Sequence, residues 1–217
     1  MVPLEIALLR GELMRDFTGD PEFPIWLIGD SPPEAWADKL DTPLDPRHPA
    51  RHSIWTSVAD PMQDRLYRQG KLRLDTSRPY IRNAMLSLGE QIQLSGPRLK
   101  ELLDKHRPNV VLTFGASAFM IALFASGEVP QKLYKTTKLL GEQFRSRIEK
   151  YDEHKVNIIP LLHVSIARGK FLEGHRDFVG AYGQTPANYF AYVGTKLADL
   201  LLAKFCDKPV WIDQSAS

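Results

Sequence analysis

The run Pro24-Ile25-Trp26-Leu27-Ile28-Gly29-Asp30-Ser31-Pro32-Pro33 constrains the fold more than any other stretch of the chain. Four consecutive apolar residues, Ile25 to Ile28, stand between breakers, which is the pattern of a short strand buried on both faces. Gly29 permits a sharp turn or the close approach of another group to the backbone. Pro32 and Pro33 keep the following residues out of a ladder, so Asp30 and Ser31 are left at the carboxyl end of the strand. Strands buried on both faces belong to parallel sheets covered by helices, and such sheets bind ligands outside the carboxyl ends of their strands. Asp30 is thus a candidate catalytic carboxylate.

The same pattern recurs twice. Asn109-Val110-Val111-Leu112-Thr113-Phe114-Gly115 is a second buried-looking strand that ends in glycine. It follows a helix expected at 97–106, which Arg107-Pro108 closes. Val156 to Leu162 is a third, and it delivers His163. His52 to Val58 is rich in β-formers and predicts another strand, as does Phe144 to Ile148. Helices are expected at 3–16, 33–40, about 61–69, Ala84 to Gln93, Ala116 to Ser126 and Asn188 to Phe205. A loop is expected at 41–51, a loop or edge hairpin at 70–79, an irregular stretch at 170–186, and a poorly ordered tail after Lys208. Strands alternating with helices predict an α/β fold: a three-layer α/β/α sandwich with a mostly parallel central sheet, in one domain covering 1–217.

Composition removes several function classes. A chain of 217 residues with 43% hydrophobic content supports one sizeable core. Cys206 is the single cysteine. It cannot form an intramolecular disulfide or supply a four-cysteine zinc or iron–sulfur site, and it fits a reducing, cytoplasmic compartment. No apolar run approaches the roughly 20 residues of a membrane span, and Glu5, Arg10 and Glu12 interrupt the apolar residues at the start. There is no glycine-rich phosphate loop and no serine nucleophile elbow. His48 and His52 lie four apart in a loop with Pro49 between them, which gives no metal pair.

The net charge of +2 neither demands nor excludes nucleic acid, so its distribution matters more. Arg47, Arg51, Arg65, Arg68, Lys71, Arg73, Arg78 and Arg82 fall in one segment. Arg168, Lys170 and Arg176 form a second basic group. Either group suits a DNA-facing surface or an ordinary solvated one.

Three segments together resemble the uracil-DNA glycosylase superfamily. Gly29-Asp30-Ser31-Pro32-Pro33 is similar to that family's first motif, in which a strand leads into glycine, acidic or small residues and proline. Arg107 to Gly115, with Ala118 three residues on, resembles its helix–proline–strand–glycine–helix segment. Pro160-Leu161-Leu162-His163-Val164-Ser165 is similar to its histidine–proline–serine motif. The order matches over about 25–170. The chain departs from the family at Val164, where proline is usual, and at Ser31, where the family's best-known aspartate stands. Branches with a glutamate second in the motif align with Asp30; many of those carry an iron–sulfur cluster, which one cysteine excludes here.

The resemblance implies a monofunctional DNA glycosylase that needs neither metal nor cofactor. It would release uracil or a modified pyrimidine, such as a modified base of phage DNA, after flipping it out of single- or double-stranded DNA. Cleaving the glycosidic bond makes an oxocarbenium-like sugar and an anionic base. A carboxylate, Asp30, would stabilise the cation and activate water, and an imidazole, His163, would hydrogen-bond the departing base. Ser31, Trp55 and Asn83 would hold the flipped base, Trp55 as a stacking platform and Asn83 on its edge. Arg51, Ser165, Arg168 and Lys170 would meet the DNA backbone. No lysine lies in the three motif stretches, which is compatible with attack by water. The protein is expected to act as a monomer away from membranes. The alternatives are a DNA-binding module that keeps the fold without catalysis, and a hydrolase of free nucleosides or nucleotides.

Overall fold

The computed structural model describes residues 16–32, 40, 42–43, 45, 47, 51–87, 90, 92–130, 132–167, 171–180 and 188–212. Among the described residues, five strands form one sheet: β1 (Phe17–Thr18), β2 (Ile25–Gly29), β3 (Tyr80–Asn83), β4 (Val110–Phe114) and β5 (Asn157–Leu161), in the order β1-β3-β2-β4-β5. β3, β2, β4 and β5 run parallel, and β1 pairs antiparallel with β3 at one edge. The fold is therefore α/β with a mostly parallel sheet, as expected.

The central strands have the burial their sequences ask for. Ile25 to Ile28 and Val110 to Phe114 are buried throughout. α1 (Ser57–Gly70) and α7 (Tyr189–Lys204) pack on one another, and Met62 and Leu197 meet Ile25, Val110 and Leu112 across one face of the sheet. α2 (Ile92–His106) packs with α3 (Ala116–Ala125), which also lies against β4 and β5. The crossover from β2 to β3 and that from β3 to β4 run in opposite directions across the sheet. Right-handed connections then put α1 and α2 on opposite faces.

Five expectations are corrected. Ala84 to Ser87 are bends rather than the start of a helix, because the Ala84 and Met85 N–H groups bond the end of β2, and helix begins only at Ile92 in α2. Residues 52–58 are not a strand: Arg51–Thr56 is a π-helical turn that continues into α1. Ile54, Val58, Met62 and Leu66 recur every four residues and are all buried, so one helical stripe overrides the β-propensity of the segment. Phe144 to Ile148 belongs to α4 (Thr137–Glu149), where Leu140, Phe144 and Ile148 share a stripe at the same spacing. The stretch 170–186 contains a helix, α6 (Leu172–Val179), which buries His175, Phe178 and Val179. The chain after Lys208 is partly packed: Val210 is buried, and Trp211 forms a bridge with Leu74. Residues 3–15 and 33–39 of two expected helices lie outside the described residues. Among the described residues, no helix is long and apolar enough to cross a membrane.

Candidate active site

The chain leaves β2 to lay β3 on one side and later returns to lay β4 on the other. The carboxyl ends of β2 and β4 thus flank the topological switch point, where open α/β sheets bind ligands. Asp30 follows β2 at this crevice, and Gly115 follows β4. The Gly29 and Asp30 carbonyls accept hydrogen bonds from Ala84 and Met85 at 2.9 and 3.0 Å, which ties the end of β3 to that of β2.

His163 arrives from β5, with β4 between it and β2. Two strand spacings amount to roughly 10 Å, yet the His163 Nε2 lies 4.0 Å from the Asp30 Oδ2. Gly115 makes this reach possible. Its φ is +98°, and a Cβ there would lie 2.9 Å from the His163 Cβ and 3.1 Å from its Cδ2. The imidazole passes just beyond the end of β4, over Gly115, a position that has no side chain.

The ring is oriented by its own loop. The Ser165 N–H donates to the His163 Nδ1 at 3.2 Å, and the Ser165 hydroxyl lies 2.8 Å from the same nitrogen. Nδ1 is therefore an acceptor, and in the neutral ring the proton sits on Nε2, toward Asp30. The short helix α5 (Val164–Ala167) starts directly after this residue, and the His163 carbonyl accepts from Ile166 and Ala167 at 2.9 and 3.0 Å.

Burial dominates the electrostatics of both groups. It raises the Asp30 carboxyl above its ordinary 3.8, against the pull of His163 and a hydrogen bond from Ser117. It lowers His163 below its ordinary 6.5, against the attraction of Asp30. The Asp30 Oδ1 is buried, and no described group donates to it. A buried carboxylate oxygen left without a donor is costly and is characteristic of reactive sites. At 4.0 Å the pair is in electrostatic contact but is not hydrogen-bonded. The Nε2–H is consequently not consumed by the carboxylate, and each group remains able to meet a substrate.

Asn83 joins the pair at the same edge of the sheet. It is the register partner of Gly29, and its side-chain oxygen occupies the space that a Cβ at Gly29 would fill. Ser31 is half-buried directly after Asp30. Trp55 is elsewhere: its side chain is buried and packs with Ile25 and Val110, which open β2 and β4, at the far end of the strands from Asp30. Its expected role as a stacking platform at this site is thus not met by its position in the core. Arg51 lines a surface groove of about 510 Å³ along α1, with Trp55, Asp60, Tyr67 and Arg73. Arg168 and Lys170 lie outside the described residues.

Much of the basic segment 47–82 is engaged within the fold. Arg47 pairs with Asp45, Arg65 with Asp199, Arg68 with Asp64 and Arg78 with Asp20, at 2.7 to 2.9 Å. Arg82 is buried. Among the described residues, no cluster of three His, Cys, Asp or Glu could hold a metal. Three contributors escaped the sequence reading: Ser117, Gly115 as the seat of the imidazole, and the partnership of Ser165 with His163. The last had a signal, since a serine two residues after a histidine at a helix start is within reach of its ring. No protein-family model matches the chain, and no curated protein matches it.

Proposed function

We propose that the protein is a monofunctional DNA glycosylase of the uracil-DNA glycosylase type, acting on uracil or a modified pyrimidine flipped out of DNA. The observation that carries this reading is the Asp30–His163 pair, 4.0 Å apart at the switch point of a parallel sheet. The carboxylate faces the sugar and the Nε2–H faces the base. Water forms a bond to C1′ as the C1′–N bond breaks, and the bonding electrons leave with the base. Asp30 stabilises the sugar cation and takes a proton from the water. His163 remains neutral and donates a hydrogen bond to the oxygen where negative charge gathers. The proton reaches the departed base through solvent or from Asp30, which restores the carboxylate. Asn83, beside Gly29, supplies an amide to the edge of the base.

This assignment requires Asp30 to be ionised and His163 to be neutral, with its one proton on Nε2 and none on Nδ1. Burial moves the two titrations toward each other, up from 3.8 for Asp30 and down from 6.5 for His163. The rate of base release is expected to be level on the alkaline side and to fall below pH 6.5, more steeply than one ionisation allows. A bell-shaped profile with a falling alkaline limb would show that a protonated group is needed, against the assignment.

The direct test uses duplexes and single strands that carry uracil or modified cytosines at one position, followed by alkali. Scission at that position supports the glycosylase. Salt-dependent binding without scission points instead to a DNA-binding module. Release of base from free nucleosides alone points to a nucleoside hydrolase.

A further inference from the structure

We infer that Tyr189 and His175, two buried side chains of α7 and α6, are positioning residues that hold the His163 imidazole against Asp30. The inference rests on reading that pair as the reacting site. Neither residue faces the crevice. Each instead grips the backbone on one side of His163. The Tyr189 Oη accepts the Leu162 N–H at 2.9 Å, immediately before the histidine. The His175 Nε2–H donates to the Ile166 carbonyl at 3.3 Å, three residues after it. A carbonyl can only accept, so the proton on that ring is fixed on Nε2.

The two grips form one unit. The His175 and Tyr189 rings lie 5.3 Å apart, and the edge-on ring of Phe178 stands 5.0 Å from Tyr189. Tyr189 is fully buried and His175 is 6% exposed. The Asn188 side chain caps α7 by accepting from Phe190 and Ala191, which fixes Tyr189 at the first position of that helix. A tyrosine hydroxyl and an imidazole are expensive to bury unless their polar atoms are used. Here both are used on the five-residue span that carries His163. The loop would otherwise depend on α5, a single turn of helix too short to hold itself. Fixing Leu162 and Ile166 fixes the ring between them, and displacement of about 1 Å at such a site costs about 10²-fold in rate.

The test is the tautomer and titration of His163, read from its ring nitrogens by NMR in wild type, Tyr189→Phe, His175→Phe and His175→Gln. Tyr189→Phe removes one oxygen and keeps the ring, so the core stays filled. The expected result is that both Phe variants lose the uniform Nε2–H state of His163 and shift its titration, while His175→Gln, which restores a donor, stays close to wild type. On a substrate that is cleaved, kcat falls about 10-fold to 100-fold in the Phe variants with KM unchanged. Wild-type His163 signals in folded Tyr189→Phe and His175→Phe would overturn the inference. The NMR readout needs no substrate. If His163 shifts as expected while no DNA base is ever released, the brace stands and the glycosylase reading falls.

Discussion

Asp30→Asn is expected to abolish base release and to raise thermal stability at the same time. The loss of rate should be about 10²- to 10⁴-fold, the usual contribution of a positioned general base. The asparagine keeps the shape of the side chain but has no negative charge to oppose a sugar cation and no site to take a proton from water. The gain in stability follows from the direction of the shift. The folded chain raises the Asp30 carboxyl above 3.8, chiefly by burial, so it favours the protonated form. Ionisation therefore costs stability above the folded value, and that cost is absent below 3.8. At neutral pH the variant should therefore melt at a higher temperature than wild type. The gain should disappear as the pH falls below 3.8. An activity loss accompanied by a lower Tm at neutral pH would mean that Asp30 holds the fold together rather than serving a reaction.

Gly115→Ala should lower both activity and stability, and for two separable reasons. The backbone at 115 has φ +98° and ψ 172°, a region open essentially to glycine alone. Forcing alanine into it costs about 1–3 kcal/mol. The new Cβ would also stand 2.9 Å from the His163 Cβ. The contact can be relieved only by moving the imidazole away from Asp30 or by moving β4. Melting should fall by about 5–10 °C, and base release by about 10²-fold even at temperatures where the variant is folded. A folded Gly115→Ala with wild-type turnover would show that His163 need not pass over Gly115 to act.

Three strands of the sheet, β2, β4 and β5, were legible because they carry a signal that tertiary context does not override; β1 and β3, two and four residues long, carry no such run. Ile25 to Ile28 and Ile158 to Leu161 are continuous apolar runs, Val110 to Phe114 is interrupted only by the buried Thr113, and each became a parallel strand. Asp30 and His163 were legible for the same reason, as the residues such strands deliver to their carboxyl ends. The misread segments are those in which residue type and spacing disagree. Residues 52–58 are rich in β-formers, but their buried members fall on the period of a helix, and packing against β2, β4 and α7 decides between the two. A platform role for Trp55 presupposes a strand at 52–58; in a helix the side chain turns inward and fills the core. The bracing residues Tyr189 and His175 were invisible because their partners, Leu162 and Ile166, are backbone groups that no sequence pattern marks. The basic segment could not be resolved from sequence for a further reason: a run of arginines does not show which carboxylates the fold brings to them, and four have partners.

The most direct test of the central claim is mass spectrometry of an oligonucleotide bearing one uracil or modified pyrimidine after incubation with the wild-type protein and with Asp30→Asn. The account predicts a free base in solution and a strand lighter by that base and heavier by one water with the wild type, and an unchanged strand with the variant. Equal release by both proteins, or an intact strand with the wild type across every base offered, would contradict it.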